Sequence, residues 1–103
     1  MFGDLLGNLQ QQQQVMQEKL AALVVDAESG DGAVRVQASG DMQVHNIKLD
    51  ASKLDFSDLE QLEDLVLVAV NRALEAARVA AAAETNQLLQ GMMPGGLDQF
   101  LKP

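Results

Sequence analysis

Apolar positions recur along this chain with two different periods, and the changes of period divide it into five elements. From Asp4 to about Leu23 the apolar residues Leu5, Leu9, Met16, Leu20 and Leu23 share one helical face, interrupted by Gln12 and Gln13. From Val24 to Ser29 the residues suit a strand, with continuation of the first helix as the alternative. Gly30-Asp31-Gly32 is a turn signal, after which Val34, Val36 and Ala38 alternate with Arg35, Gln37 and Ser39 as in a half-buried strand. Gly40-Asp41 makes a second tight turn. The following segment, Met42 to Leu49, changes parity: Met42 and Val44 fall on one side, Ile47 and Leu49 on the other. A bulge or a twist is therefore expected near His45-Asn46.

A helix over Ser57–Gly91 closes the pattern. Ser57 and Glu60 read as a capping box, Asp58 and Glu60 complement the helix dipole, and no Gly or Pro interrupts the run before Gly91, with Pro94 just beyond. At ~1.5 Å per residue such a rod is about 50 Å long, more than so small a domain covers by itself. Leu59, Leu62, Val66, Ala69, Ala73, Ala76, Ala80 and Ala83 form a packed seam, beside a second row of Leu67, Val70, Leu74, Ala77 and Ala81. The large side chains of the first half suit a core, and the Ala-rich second half suits a projecting arm or a helix–helix contact with a partner chain. Leu54 and Phe56 are the expected anchors before the helix. The fold class is therefore α+β: an α-β-β-β-α chain with a three-stranded antiparallel meander and a long C-terminal helix. Residues 1–91 form the expected single domain and residues 92–103 a flexible tail.

Composition narrows the functional classes. The chain has 103 residues, no cysteine, and Asp+Glu 15 against Lys+Arg 7, for a formal net charge of -8. Thiol chemistry and disulfides are excluded. The start lacks the basic and apolar regions of a signal peptide and no apolar run reaches membrane-spanning length, so a cytoplasmic protein without a membrane partner is expected. The acidic balance is poorly suited to phosphate binding, which draws on Lys and Arg.

No site for catalysis is legible, and a non-enzyme without cofactor or metal is expected. His45 is the single histidine. Glu60, Glu63 and Asp64 serve the helix dipole without a His or Cys to complete a metal set, and Asp26, Glu28 and Asp31 do not extend into a calcium loop.

The order of motifs goes further than composition. Met1-Phe2-Gly3, the Gln-rich helix ending Met16-Gln17-Glu18-Lys19-Leu20, and Glu28-Ser29-Gly30-Asp31-Gly32-Ala33-Val34-Arg35-Val36 come first. Ile47-Lys48-Leu49-Asp50, the blocks Leu62–Val66 and Ala69–Ala73, and Gly91-Met92-Met93-Pro94-Gly95-Gly96 follow. In this order they resemble the YbaB/EbfC family of bacterial nucleoid-associated proteins over nearly the whole chain. That resemblance implies a tweezer-shaped homodimer, double-stranded DNA as partner, low sequence specificity, a location on the nucleoid, and neither enzymatic activity nor a cofactor. The candidate DNA contacts are Lys19, Arg35, Lys48, Arg72 and Arg78, each weighed against a role as a solvated charge or ion pair. The alternative function is an acidic, dimeric protein-interaction module with little or no DNA affinity. Basic side chains clustered on one face would favour DNA; basic side chains each flanked by carboxylates would favour the module.

Overall fold

The computed structural model describes residues 2–92; the expected tail lies outside the described residues apart from Met92. The element order is α1 (Phe2–Ala22), β1 (Val24–Ser29), β2 (Val34–Ser39), β3 (Gln43–Leu49) and α2 (Leu59–Met92). The strands form one antiparallel sheet in the order β1-β2-β3.

Both turns follow from local chemistry. In the first, the Ala33 amide donates to the Gly30 carbonyl at 3.1 Å, and Asp31 and Gly32 take φ values of 56° and 87°. Positive φ at both central residues is what a type I′ hairpin turn requires, and Asp-Gly supplies it at low cost. In the second, the Met42 amide donates to the Ser39 carbonyl at 2.9 Å, and Met42, rather than a glycine, adopts the positive φ of 65°. Met42 therefore belongs to the turn, and β3 begins one residue later than its apolar pattern implied. Gly40 serves a different purpose. Its amide donates to the Leu23 carbonyl at 2.9 Å, and a Cβ added there would stand 3.0 Å from the Leu20 carbonyl oxygen. The missing side chain lets the end of α1 close onto the sheet.

The expected bulge is present. Gln37 pairs with Asn46 and Ala38 with Val44, leaving His45 as the extra residue. Past the bulge the parity is restored, so Val44, Ile47 and Leu49 lie opposite Ala38, Val36 and Val34 on one face.

That face meets α2. The core consists of Val34, Val36 and Ala38 from the sheet and Ala69, Ala73 and Ala77 from α2, with Val25, Ala27, Leu54, Leu65, Val66 and Val70 packed around them. The helix seam thus packs on its own sheet. The fully buried residues of α2 are three alanines spaced four apart: Ala69 and Ala73 from the expected seam and Ala77 from the row beside it. Small side chains let the helix backbone lie close to the strands. Two side-chain bonds fix α2 to the end of β1: the Ser29 hydroxyl donates to the Leu65 carbonyl at 2.6 Å, and Arg72 Nη1 donates to the Glu28 carbonyl at 2.9 Å.

The start of α2 differs from the expected capping box. Asp58 is the cap: its Oδ1 accepts from the Gln61 amide at 3.1 Å, and its carbonyl accepts from the Leu62 amide. Ser57 is engaged one residue upstream, where its amide and hydroxyl both donate to Asp55. Nor does Gly91 end the helix, which continues to Met92. A lone glycine lowers helix propensity by about 1 kcal/mol but does not by itself stop propagation.

The radius of gyration is 19.5 Å and the extents are 63 × 41 × 17 Å. A compact chain of this length would have a radius near ~13 Å. The excess comes from α1 and the second half of α2, which extend beyond the sheet; past Ala77 no described residue of α2 is buried.

Candidate nucleic-acid interface

The sheet has two unlike faces. The face away from α2 is polar, built in register as Glu28–Arg35–Lys48 across the strands and Asp26–Gln37–Asn46 beside it. These residues surround an open depression of about 460 Å³. Arg35 is 67% exposed and Lys48 is its register partner on β3, so the two cations stand side by side. Glu28 approaches from the other side, its Oε2 3.6 Å from Arg35 Nε.

A further cation joins them, one that the residue pattern did not single out. Lys53 Nζ donates to the Asp31 carbonyl at 2.9 Å, folding the side chain back over the first hairpin turn. A Cβ placed on Gly32 would lie 3.4 Å from Arg35 Nη2 and 3.5 Å from Lys53 Nζ. Both cations therefore lie over Gly32, which is buried beneath them. Asp50 lies close by. Its carboxyl is held below the ordinary value chiefly by the Ser52 hydroxyl and amide, with smaller contributions from Lys53 and Arg35. Sequence spacing could not reveal Lys53, because the contact joins residues on either side of the second hairpin.

The remaining candidates are dispersed. Arg72 holds the Glu28 carbonyl. Arg78 is engaged by Glu75 through Nε at 3.0 Å and Nη2 at 2.6 Å, the bidentate helical pair its spacing anticipates. That pair lowers the Glu75 carboxyl and raises the Arg78 guanidinium from their ordinary values. Lys19 stands apart, lining a cleft of about 610 Å³ between α1 and the end of α2 with Asn8, Gln11, Gln12, Val15, Met16, Thr85, Leu88 and Leu89. The five candidates thus divide: Arg35 and Lys48 are adjacent, Lys19 is solitary, and Arg72 and Arg78 are committed within the fold.

The second turn gathers Ser39, Asp41 and His45. The buried Ser39 hydroxyl donates to Asp41 and lies 2.7 Å from His45 Nε2. A hydroxyl has one proton; given to the carboxylate, it leaves Ser39 to accept from the Nε2–H of His45. A nucleophilic serine needs the opposite arrangement, with histidine accepting its proton. The cluster instead fastens the bulge to the turn. Among the described residues, no group of three or more His, Asp or Glu side chains is placed to hold a metal ion.

The α2 side of the sheet is apolar and only partly covered. α2 lies chiefly over β1 and β2, leaving Val44, Ile47 and Leu49 of β3 about two-fifths exposed. On the adjoining flank of α2, Leu62, Val66, Leu67 and Val70 line a groove with Glu63, and Leu67 is 59% exposed. Phe56, expected as a buried anchor, is 50% exposed, and Leu59 is also open.

Comparison with known proteins agrees with this architecture. A nucleoid-associated protein of Anaeromyxobacter dehalogenans is 42% identical over 79 residues, covering 76% of this chain and 77% of its relative. One from Paramagnetospirillum magneticum is 38% identical over 99 residues, covering 88% and 92%. The crystal structure of uncharacterized protein HP0035 from Helicobacter pylori superposes with a TM-score of 0.68 at 22% identity, covering 85% of this chain and 92% of that one, which establishes likeness of fold. The model of the YbaB/EbfC DNA-binding family matches residues 1–92, and the chain belongs to that family.

Proposed function

We propose that this protein is a homodimeric, nucleoid-associated DNA-binding protein of low sequence specificity, working in the cytoplasm on the nucleoid. Membership of the YbaB/EbfC DNA-binding family carries the reading. The arrangement of polar groups supports its manner of binding. The candidate face offers cations and amides but no aromatic platform, so contacts fall on the sugar-phosphate backbone and carry little base information. Of the sequence candidates, Arg35 and Lys48 are the principal phosphate contacts and Lys19 a secondary one. Arg72 and Arg78 serve the fold.

The partly covered apolar face supports the dimer. Val44, Ile47 and Leu49 on β3 and Leu67 on α2 leave a surface that a monomer seldom exposes, and β3 is a sheet edge with unpaired backbone groups. A second copy seated there covers that surface and doubles the few cations. Sedimentation at micromolar concentration tests this: a dimer is expected, and a monomer of 11.0 kDa throughout would overturn it.

Titration with mixed-sequence duplex DNA at low and moderate salt tests the function. Binding that weakens steeply with salt is expected for backbone contacts. No binding at low salt overturns the reading and leaves the alternative, an acidic dimeric interaction module. Two observations favour that alternative: Arg35 and Arg78 are flanked by Glu28 and Glu75, and α1 exposes Leu5, Leu6, Leu9 and Val15 on a helix with no charge from Leu5 to Gln17.

A further inference from the structure

We infer that Arg35 and Lys53 together seat one backbone phosphate over the Gly32 turn, with Lys48 positioned to meet the neighbouring phosphate. The inference rests on the DNA-binding reading and assigns it a place and a residue, Lys53, outside the sequence candidates. Arg35 Nη2 and Lys53 Nζ each lie within 3.5 Å of the point where a Gly32 Cβ would sit, so the two cations are within about 7 Å of each other. A phosphate accepting a charge-assisted bond of about 2.8 Å from each fits between them.

The convergence has identifiable causes. Register fixes Arg35 at the outer face beside Lys48. The bond to the Asp31 carbonyl draws Lys53 across from the segment after β3 and leaves other ammonium N–H groups unspent. Gly32 has no side chain to separate them. The chain has only 7 Lys and Arg residues; two of them lie over Gly32, and a third, Lys48, is the register partner of Arg35. Like charges held together repel, and a bound anion relieves that repulsion.

Carboxylates limit the strength of the seat. Glu28 Oε2 stands 3.6 Å from Arg35 Nε, which lies over Gly32 together with Nη2, so this carboxylate competes with an incoming anion for the guanidinium. Asp50 adds negative charge nearby, although its oxygen Oδ1 is engaged by Ser52. Binding at this corner is therefore expected to be modest in affinity and steep in salt, with no preference for particular bases.

The test uses the full chain labelled with 15N and titrated with mixed-sequence duplex DNA at about 50 mM salt. Amide shifts are expected to concentrate at Gly32, Arg35, Lys48 and Lys53. Arg35→Gln and Lys53→Gln should each weaken binding several-fold and lower the log–log salt slope by about 1, whereas Lys53→Arg retains affinity. Arg78→Gln, which removes a cation already engaged by Glu75, should bind as the unaltered protein does. If the unaltered protein binds but both Gln variants bind equally well, or the shifts fall on α1 and the end of α2 instead, the corner is overturned while the DNA reading stands. If the unaltered protein binds no DNA, both fall. The shift map on unaltered protein decides the matter even where a variant folds poorly.

Discussion

The sheet end and the arms of this molecule are made from different materials. The sheet end combines a close-packed core of small residues, two short turns and most of the charge, including Arg35, Lys48 and Lys53. Among the described residues the arms, α1 and the part of α2 past Ala77, bury nothing completely, and their charges are few: Asp4, Glu18 and Lys19 on α1, Arg78 and Glu84 on α2, with none from Leu5 to Gln17. The close-packed core and the adjacent cations Arg35 and Lys48 thus belong to the sheet end. The arms offer reach and an apolar, amide-rich surface. The cations of the arms are Lys19 and Arg78, the latter paired with Glu75, so a grip on DNA by the arms would release few counterions, and this favours the proposed phosphate contacts on the sheet.

The sharpest contrast lies within α2. Ala73 is buried against the sheet and Ala82 is exposed on the arm. Ala73→Leu should cost about 1–3 kcal/mol through overpacking, while Ala82→Leu should stay within about 0.5 kcal/mol. Urea unfolding midpoints measure both. Equal effects would mean that the arm is packed as firmly as the core.

The junction between the two regions comes next. Gly40→Ala drives a Cβ toward the Leu20 carbonyl oxygen, a backbone atom that cannot swing away. A loss of about 1–2 kcal/mol is expected, with faster hydrogen exchange at the end of α1 than in β2. Unchanged exchange there would show that α1 does not depend on this approach.

Removing the cap should have a somewhat smaller effect. Asp58→Ala is expected to cost about 1 kcal/mol and Ser57→Ala distinctly less; the reverse order in urea unfolding would restore the capping box to Ser57. Met42→Gly relieves a left-handed non-glycine residue and should gain up to about 1 kcal/mol, read as a higher unfolding midpoint.

The mildest effect is acid sensitivity. Asp55, bonded by the Ser57 hydroxyl and amide, and Glu75, bonded by Arg78, have carboxyls lowered from their ordinary values. Their stabilisation is present above the unfolded-state pKa and is lost as pH falls through the lowered folded values. Stability should therefore decline below the ordinary carboxylate range, and Asp55→Asn should make that decline shallower in urea unfolding followed against pH.

Periodicity and turn chemistry along the chain determined the order of the elements, the two hairpin turns and an irregularity near His45-Asn46, which the pairing resolves as a bulge at His45. Each depends on local backbone chemistry or on the parity of neighbouring side chains. Periodicity also anticipated the Glu75–Arg78 pair, because three residues on a helix fix that distance. Tertiary structure decided the rest. Ser57 and Asp58 both suit a cap, and the prior engagement of Ser57 by Asp55 selected Asp58. Leu67 and Phe56 have the composition of core residues, yet the helix lies over β1 and β2 and leaves them open. Lys53 met Arg35 only because a hairpin and a bond to the Asp31 carbonyl brought distant segments over one glycine. Spacing along a chain fixes which neighbours share a face; which separated segments meet is set by close packing, and that packing decided where the charge collects.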